Sequence, residues 1–212
     1  MGRLVVVEGL DGSGKATLTA RLVRVLTGGG SSVATLAFPR YDADVHAGLA
    51  RDALHGRLGD LADSVHGMAV LFALDRRDAA PELRALLAEH DVVLVDRYVA
   101  SNAAYNAARL HQTADGEVVR WVRELEIDRF GIPVPDHQLL LATDRALAAE
   151  RARRRAAADP VRARDAYESD DSLQARTDVV YRELAARSWL SEWTVLDGDP
   201  DPTALAGRLA GG

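Results

Sequence analysis

The sequence predicts an α/β fold in which a doubly wound, five-stranded parallel sheet is flanked by helices. Three observations carry this prediction. Short β-branched apolar runs, typical of strands buried on both faces, alternate with segments of helical periodicity. The first run leads through a glycine-rich turn into a helix, which is the order expected of a parallel sheet. The chain has 212 residues, a length that suits one domain, and no repeat or linker divides it.

The predicted elements alternate regularly along the chain. Strands are predicted at 4–7, 33–38, 92–95, 139–141 and 193–196. Helices are predicted at 18–26, 49–58, 65–74, 82–89, 100–110, 118–130, 145–155, 173–189 and 203–209. Apolar residues recur in the helices at intervals of three and four, and glycine or proline marks many of the ends. Gly131 is expected to cap the helix 118–130, and a loop is predicted at 156–164.

Composition excludes several classes of protein. The chain has no cysteine, so disulfides, thiolate metal sites and cysteine nucleophiles are excluded. A formal charge of -6 argues against a general nucleic-acid binder. No apolar run approaches the ~18–20 residues of a membrane helix, and no signal peptide is evident, so a cytoplasmic protein is expected. Lys15 is the only lysine among 26 basic residues, which invites a chemical reason for its position.

A phosphate-binding motif lies between the first predicted strand and the first predicted helix. Residues 9–15 match the pattern G-x-x-x-x-G-K, in the strand–loop–helix context that supports such a match. Backbone N–H groups of this P-loop and the helix N-terminus would cradle phosphate oxygens, and Lys15 would bridge the β- and γ-phosphates of ATP. The alternative is a plain glycine-rich turn. The residues predicted to bind ATP here are Gly9, Leu10, Asp11, Gly12, Ser13, Gly14, Lys15, Ala16 and Thr17.

The motif departs from its usual form at one position. Ala16 follows the lysine, where a serine or threonine usually ligates Mg²⁺. Either Thr17 takes that role or the metal depends on phosphates, water and carboxylates, of which Asp11 and Asp96 are the candidates. A GTP-dependent switch is disfavoured, because its guanine-reading Asn-Lys-x-Asp would need a second lysine.

Four stretches together resemble the thymidylate kinase family, and within it the actinobacterial branch. They are residues 8–15, Phe38-Pro39-Arg40-Tyr41, residues 96–105 with Asp96-Arg97-Tyr98, and residues 151–168. The resemblance implies a P-loop NTPase-type fold and one nucleoside monophosphate kinase domain over 1–212, with a P-loop at 9–17 and an arginine-rich lid at about 150–168. The implied reaction is the ATP- and Mg²⁺-dependent phosphorylation of dTMP to dTDP, which feeds dTTP and DNA synthesis. The family is homodimeric, and the helix around 64–74 could supply an interface.

The same resemblance implies the acceptor site. Phe72 would stack on thymine, Arg76 would donate to its carbonyl edge, and Asn102 would read the base. Tyr105 would lie under the deoxyribose, and Arg97 would bind the dTMP phosphate, with help from Arg40. The implied dTMP-binding residues are Asp11, Phe38, Pro39, Tyr41, Phe72, Arg76, Arg97, Asn102, Tyr105, Asp165, Tyr167 and Glu168.

The implied lid is the most basic part of the chain. Six arginines lie between positions 151 and 164, where Asp159 alone opposes them, and such a concentration can trap an anion. The resemblance makes Lys15, Asp11, Arg97, Arg151 and Arg155 catalytic, and it places Arg162 near adenine and Glu168 near the acceptor or the metal. Two alternatives stay open: a kinase for another nucleoside monophosphate, and a P-loop nucleotide switch without an acceptor.

Overall fold

The strands of the sheet form where the β-branched runs predict them. In a computed structural model, which describes residues 2–143, 147–148, 150–151 and 166–210, the strands are β1 Arg3–Gly9, β2 Val33–Ala37, β3 Val92–Asp96, β4 His137–Leu141 and β5 Glu192–Leu196. All pairings are parallel, in the order β2-β3-β1-β4-β5. The predicted doubly wound sheet of five strands is confirmed.

Helices cover both faces of the sheet. They are α1 Lys15–Gly28, α2 Val45–Leu54, α3 Val65–Glu89, α4 Val99–Arg109, α5 Glu117–Arg123, α6 Ala166–Ser169, α7 Asp171–Ala186 and α8 Pro202–Ala210. A 3₁₀ turn covers Gly59–Asp63, and a π-helical turn, Glu124–Arg129, continues α5. One face of the sheet packs on α1 and α8, and the other packs on α3, α4, α5 and α7. None of the described helices combines the length and apolar composition that a membrane crossing requires.

The largest error of the sequence prediction concerns α3. Two helices were expected, at 65–74 and 82–89, but one helix of 25 residues contains Pro81 in its interior. The gap arose because Asp75 and Arg76 interrupt the apolar pattern and because Pro81 was taken to mark the start of a second helix. Both are buried in the inner face of the helix, where ion pairs replace apolar contacts.

Side-chain caps explain two shifted boundaries. Asp44 accepts hydrogen bonds from the backbone N–H groups of His46 and Ala47 at 2.8 and 3.0 Å, so α2 begins four residues earlier than its apolar pattern predicts. Asp170 caps α7 in the same way. Gly131 adopts the left-handed conformation expected of it, with φ 64°, after the π-helical turn.

The carboxyl ends of the central strands bring the candidate residues together. Val7 of β1 pairs with Asp96 of β3, so the P-loop after β1 and the Asp96-Arg97 pair after β3 lie at one edge of the sheet. β2 ends beside them, because Ala37 pairs with Asp96. Ligands of open α/β sheets bind at this edge.

Candidate active site

The P-loop joins β1 to α1 at the carboxyl edge. Gly9 has φ 146°, and a Cβ on it would lie 2.9 Å from the carbonyl oxygen of Leu141, so this close approach requires glycine. Gly14 has φ 102° and begins α1 without a side-chain cap. The N–H groups of the first turn of α1 therefore face the loop, where they and the helix dipole favour an anion.

Lys15 closes the loop from the first turn of α1. The residue is only 7% exposed, and its Nζ donates to the carbonyl oxygens of Gly9 and Leu10 at 3.0 and 2.9 Å. Burial and the nearby charge of Arg97 lower the pKa of Lys15 to about 8, although Asp11 and other carboxylates oppose the shift. A bound polyphosphate would offer this ammonium group stronger acceptors than neutral carbonyls.

Asp11, Arg97 and Tyr105 converge beside the loop. The Nη2 of Arg97 donates to Asp11 Oδ1 at 2.6 Å, and the hydroxyl of Tyr105 donates to Asp11 Oδ2 at 3.0 Å. Burial alone would raise the pKa of Asp11, but the charges of Arg97 and Lys15 outweigh it and hold that pKa well below its usual range. Asp11 is thus a fixed anion between two cations beside the P-loop.

The backbone at Arg97 is strained. Its φ of 63° lies in the left-handed region, which costs a non-glycine residue about 1–3 kcal/mol. The N–H of Arg97 donates to Val7 O at 3.0 Å, and its Nη1 donates to the hydroxyl of Ser101 at 3.3 Å. Strain of this kind persists only where surrounding contacts impose it, and here it aims the guanidinium at Asp11.

Glu8 supplies many of those contacts. This carboxylate, 0% exposed, accepts from the backbone N–H groups of Tyr98 and Ser101 at 2.9 and 3.2 Å. It also accepts from the hydroxyls of Ser101 and Tyr181 at 2.7 and 3.0 Å. Burial raises the pKa of Glu8, and these hydrogen bonds together with the charge of Arg97 oppose the rise. Glu8 thereby caps α4 from β1 and fixes the segment that carries Arg97.

Two carboxylates at the loop could hold a metal. Asp96 Oδ1 is buried with no hydrogen-bond partner among the described residues, and Asp11 accepts a hydrogen bond from Arg97, the residue that follows β3. Ala16 offers no ligand, and both Ala16 and Thr17 are exposed in the first turn of α1. Successive residues of an α-helix are offset by about 100°, so Thr17 does not point where residue 16 points.

The base-binding residues expected on α3 and α4 lie together around a further carboxylate. Arg76 is 3% exposed, and its Nε and Nη2 donate to Glu126 at 2.5 and 2.7 Å. The Nδ2 of Asn102 donates to Glu126 Oε1 at 2.7 Å and to Ala69 O at 3.0 Å. Phe72 is half-buried one turn before Arg76, beside the apolar cluster of α2 and α3. Two nitrogens of Arg76 are therefore committed within the protein.

Tyr105 lies between the loop and the C-terminal part of the chain. Its ring stacks on that of Tyr167, with centroids 6.1 Å apart and planes at 16°. Arg109 lies 4.9 Å above the ring of Tyr167 and donates to its hydroxyl. Tyr167 therefore lies against Tyr105, and its assignment to dTMP stays a prediction.

The segment after β2 is fixed mainly by ion pairs. Phe38 is buried and precedes a cis bond to Pro39. Arg40 donates through Nε to Asp75 Oδ1 at 2.7 Å, and its Nη2 donates to Asp75 O at 2.8 Å. Tyr41 is half-buried, with the guanidinium of Arg51 5.7 Å from its ring centroid. Arg40 is therefore engaged with Asp75.

One lid arginine falls within the described residues. Arg151 is exposed, and its Nη1 would lie 3.8 Å from a Cβ placed on Gly14, which brings it to the rim of the P-loop. Arg155, Arg162 and Asp165 lie outside the described residues, and so does the side chain of Glu168.

A model of the thymidylate kinase family matches residues 7–199. The chain belongs to the thymidylate kinase family. The match covers the P-loop, the Asp96-Arg97 pair and the π-helical turn, so it spans every element that builds the site.

Individual thymidylate kinases are similar over much of the chain. That of Mycobacterium tuberculosis is 54% identical over 207 residues, which are 98% of this chain and 97% of that protein. That of Leifsonia xyli is 36% identical over 188 residues, 87% of this chain and 82% of that protein. These relatives bear out the expected resemblance to the actinobacterial branch. A solved thymidylate kinase of Candida albicans shares the fold, with a TM-score of 0.67 at 22% identity, over 98% of this chain and 89% of that one.

Sequence reasoning missed two site residues of this thymidylate kinase family member. Glu8 directly follows the apolar run of β1, and an acid at the end of a buried strand is a signal of a site residue. Glu126 follows Val118 and Val122 at intervals of four, so it falls on the apolar face of its helix. In both cases the clue is a charge at a position where the pattern predicts an apolar side chain.

Proposed function

We propose that the protein transfers the γ-phosphoryl group of ATP to dTMP and yields ADP and dTDP. The observation that carries the proposal is the contact of Arg97 and Tyr105 with Asp11 of the P-loop, next to Lys15. An anion-binding loop, a second cation and an aromatic ring at one sheet edge suit a reaction between two phosphates. Family membership gives the substrate pair, ATP and dTMP.

The residue roles follow from charge and position. Arg97 binds the acceptor phosphate, and its planar guanidinium suits a bidentate contact. Lys15 and the loop amides bind the β- and γ-phosphates. An oxygen of the dTMP phosphate attacks the γ-phosphorus, the bond to the β,γ-bridging oxygen breaks, and the charge passes to ADP. Because the attacking oxygen is already anionic, these side chains position reactants and neutralise charge rather than abstract a proton.

Arg151 and Arg155 are proposed to contact the γ-phosphate. The nearness of Arg151 to the P-loop supports its role, and Arg155 follows it by four residues in the sequence. Arg162 is assigned to the adenine side of the ATP site on resemblance alone. Asp165, Tyr167 and Glu168 are assigned to dTMP, and the stack of Tyr167 on Tyr105 supports Tyr167.

A Mg²⁺ ion fits the loop. The buried Asp96 Oδ1, which has no hydrogen-bond partner in the described part of the chain, and the ionised Asp11 supply hard oxygen donors, and Glu168 is a third candidate. When bound there, such an ion would supply positive charge that offsets the charge of the phosphates. Ala16 has no oxygen to offer at the position of the usual serine or threonine ligand, and Thr17 points elsewhere. Asp11 and Asp96 therefore carry more of the metal binding.

On the acceptor side, Phe38, Pro39 and Tyr41 are proposed to line the phosphate and sugar. Phe72, Arg76 and Asn102 are proposed to hold the base.

The assembly is proposed to be a cytoplasmic homodimer of one-domain chains, 1–212, that binds no nucleic acid. Three apolar side chains of α3, those of Val70, Leu71 and Leu74, are only half-buried in the single chain, which supports the helix around 64–74 as an interface. The net charge of -6 supports the absence of nucleic-acid binding.

The direct test measures ADP release from Mg-ATP with dTMP, dUMP, dCMP, dGMP, UMP and AMP. We expect a strong preference for dTMP, and we expect Lys15→Ala and Arg97→Ala to reduce the rate of dTMP phosphorylation severely. Equal rates across the panel would favour a kinase of broader or different acceptor. ATP hydrolysis indifferent to every acceptor would favour a P-loop switch.

A further inference from the structure

A buried anion lies behind the base-binding side chains, where none of the proposed steps uses it. Glu126 is 0% exposed and accepts three hydrogen bonds, two from Arg76 and one from Asn102. A buried carboxylate is costly unless it is fully paired, so three charge-assisted or amide contacts at 2.5–2.7 Å indicate a specific arrangement.

The backbone around Glu126 is also unusual. The residue belongs to the π-helical turn Glu124–Arg129, which continues α5. The wider turn buries two successive residues, Leu125 and Glu126, so that the acid reaches the space between α3 and α4. π-helical turns are rare in proteins, and many of those that occur lie at functional sites.

Glu126 fixes the orientation of the Asn102 amide. Glu126 Oε1 and Ala69 O are both acceptors only, so the group that faces them must be the NH₂ of Asn102. Both of its hydrogens are used there. The Oδ1 of Asn102 accepts one hydrogen bond, from Asn106 Nδ2 at 2.8 Å, and a carbonyl oxygen has a second lone pair. Asn102 can therefore offer a base only an acceptor.

Glu126 fixes Arg76 in the complementary role. With Nε and Nη2 held by the carboxylate, Nη1 is the nitrogen that has no hydrogen bond to the described residues. The site then pairs a donor side chain, Arg76, with an acceptor, Asn102 Oδ1, because the guanidinium keeps N–H groups that Glu126 does not use. The edge of thymine or uracil, with its O4 acceptor and N3–H donor, complements that pair. The edge of cytosine, with its amino donor and N3 acceptor, opposes it at both atoms.

We propose that Glu126 is a positioning residue that sets the selectivity of the acceptor site for a thymine-type over a cytosine-type base. It acts through Arg76 and Asn102 and does not touch the substrate. This inference rests on the proposed function, because it assumes that these two side chains face the base. A site built to hydrogen-bond one pattern rejects the other strongly, since its own buried groups would be left unpaired.

The test measures kcat/KM for dTMP, dUMP and dCMP in the parent enzyme and in Glu126→Gln. The amide that replaces the carboxylate has one accepting oxygen for the three donors of Arg76 and Asn102. In either orientation of this amide, its NH₂ group points at one of those donors. We expect the dTMP:dCMP ratio of kcat/KM to fall at least tenfold. The dTMP:dUMP ratio should stay within about threefold, because both bases have the same edge and differ only in the methyl group. Glu124→Gln, at an exposed position of the same turn, is the matched control and should change neither ratio.

A second variant covers the case in which Glu126→Gln does not fold, since Arg76 would lose its buried counter-ion. Glu126→Asp keeps the charge but withdraws it by one methylene, and we expect an intermediate fall in the dTMP:dCMP ratio. An unchanged dTMP:dCMP ratio in the folded variants would overturn the inference. So would a similar fall in both ratios, because that indicates general damage to the pocket. A parent enzyme without preference for dTMP over dCMP would instead refute the proposed function.

Discussion

The two ends of the acceptor site are each organised by a buried glutamate, but in different ways. At the phosphate end, Glu8 accepts from backbone N–H groups and hydroxyls, and the charged groups Asp11, Lys15 and Arg97 are the ones proposed to face the substrate. At the base end, Glu126 is itself the partner of the charged side chain, Arg76. The phosphate end therefore presents net charge, and the base end presents a neutralised hydrogen-bond pattern. Charge is suited to accelerating a phosphoryl transfer, and a fixed pattern is suited to choosing a base.

The largest expected effect belongs to the phosphate end. Arg97→Ala should lower kcat by about 10³-fold, because loss of a preorganised charge at a reacting oxyanion typically costs 10²–10³-fold. The remaining activity should show the parent dTMP:dUMP and dTMP:dCMP ratios, measured with the same coupled ADP assay. A changed base preference in this variant would break the division between the two ends.

Removal of the base-stacking ring should act on binding. Phe72→Ala should raise the KM for dTMP about tenfold or more and leave kcat within about threefold, since stacking of a base on an aromatic ring is worth about 1–3 kcal/mol. Phe72→Tyr keeps the ring and serves as the control. Steady-state kinetics with saturating Mg-ATP measures both constants. A fall in kcat without a change in KM would contradict the assignment of Phe72 to the base.

Glu8 should affect activity through Arg97 and α4. Glu8→Ala should lower kcat/KM for dTMP about tenfold, because the left-handed backbone at Arg97 and the N-terminus of α4 both lose their anchor. Glu8→Gln should restore most of it, because its oxygen still accepts from the backbone and the hydroxyls of Ser101 and Tyr181 can reorient. Equal losses in the two variants, at matched melting temperatures, would show that the charge rather than the hydrogen bonds is required.

The burial of charged Lys15 at the phosphate end should lower the free energy of unfolding. Its pKa is lowered to about 8, so folding disfavours its protonated form, and the penalty is fully present below about pH 8. As the pH rises from about 8 through the ordinary value of 10.5, the penalty is relieved. Lys15→Met should therefore stabilise the unliganded, metal-free protein by up to about 3 kcal/mol at pH 7.

Urea unfolding of both proteins at pH 7, 8.5 and 10 measures this difference, which should shrink as the pH rises. Saturating ATP should reverse it, because the parent then gains a phosphate partner for Lys15. A difference that is independent of pH would contradict the account of Lys15.

The smallest expected effect concerns the metal. Thr17→Ala should change the Mg²⁺ concentration for half-maximal activity less than twofold, because Thr17 points away from the position of residue 16. Asp96→Asn, the comparison variant, should raise that concentration severalfold. A large effect of Thr17→Ala would show that Thr17 replaces the missing ligand at Ala16.

The sequence predicts the phosphate end better than the base end for a physical reason. The P-loop and the residues after β3 follow directly from strands, and parallel strands place their carboxyl ends together. The pattern therefore places Lys15, Asp11 and Arg97 at one edge of the sheet, and the resemblance implies the role of Arg97. The base end depends on contacts between α3, α4 and the π-helical turn. Its central residue, Glu126, lies 50 positions from Arg76, and sequence spacing does not indicate that they meet.

Similar reasoning explains the missed part of α3. Periodicity locates apolar faces, and the buried charges Asp75 and Arg76 broke the pattern because their partners, Arg40 and Glu126, come from elsewhere in the chain. The helix was divided close to Arg76, the arginine that is proposed to read the base.

The division of labour between the ends is tested most directly by the dTMP:dCMP ratio of kcat/KM in three proteins: the parent, Arg97→Lys and Glu126→Asp. The account predicts that Arg97→Lys lowers kcat/KM for dTMP and kcat/KM for dCMP by the same factor and leaves their ratio unchanged. It predicts that Glu126→Asp lowers the ratio while dTMP turnover remains readily measurable. A dTMP:dCMP ratio that changes in Arg97→Lys and stays constant in Glu126→Asp would contradict the account.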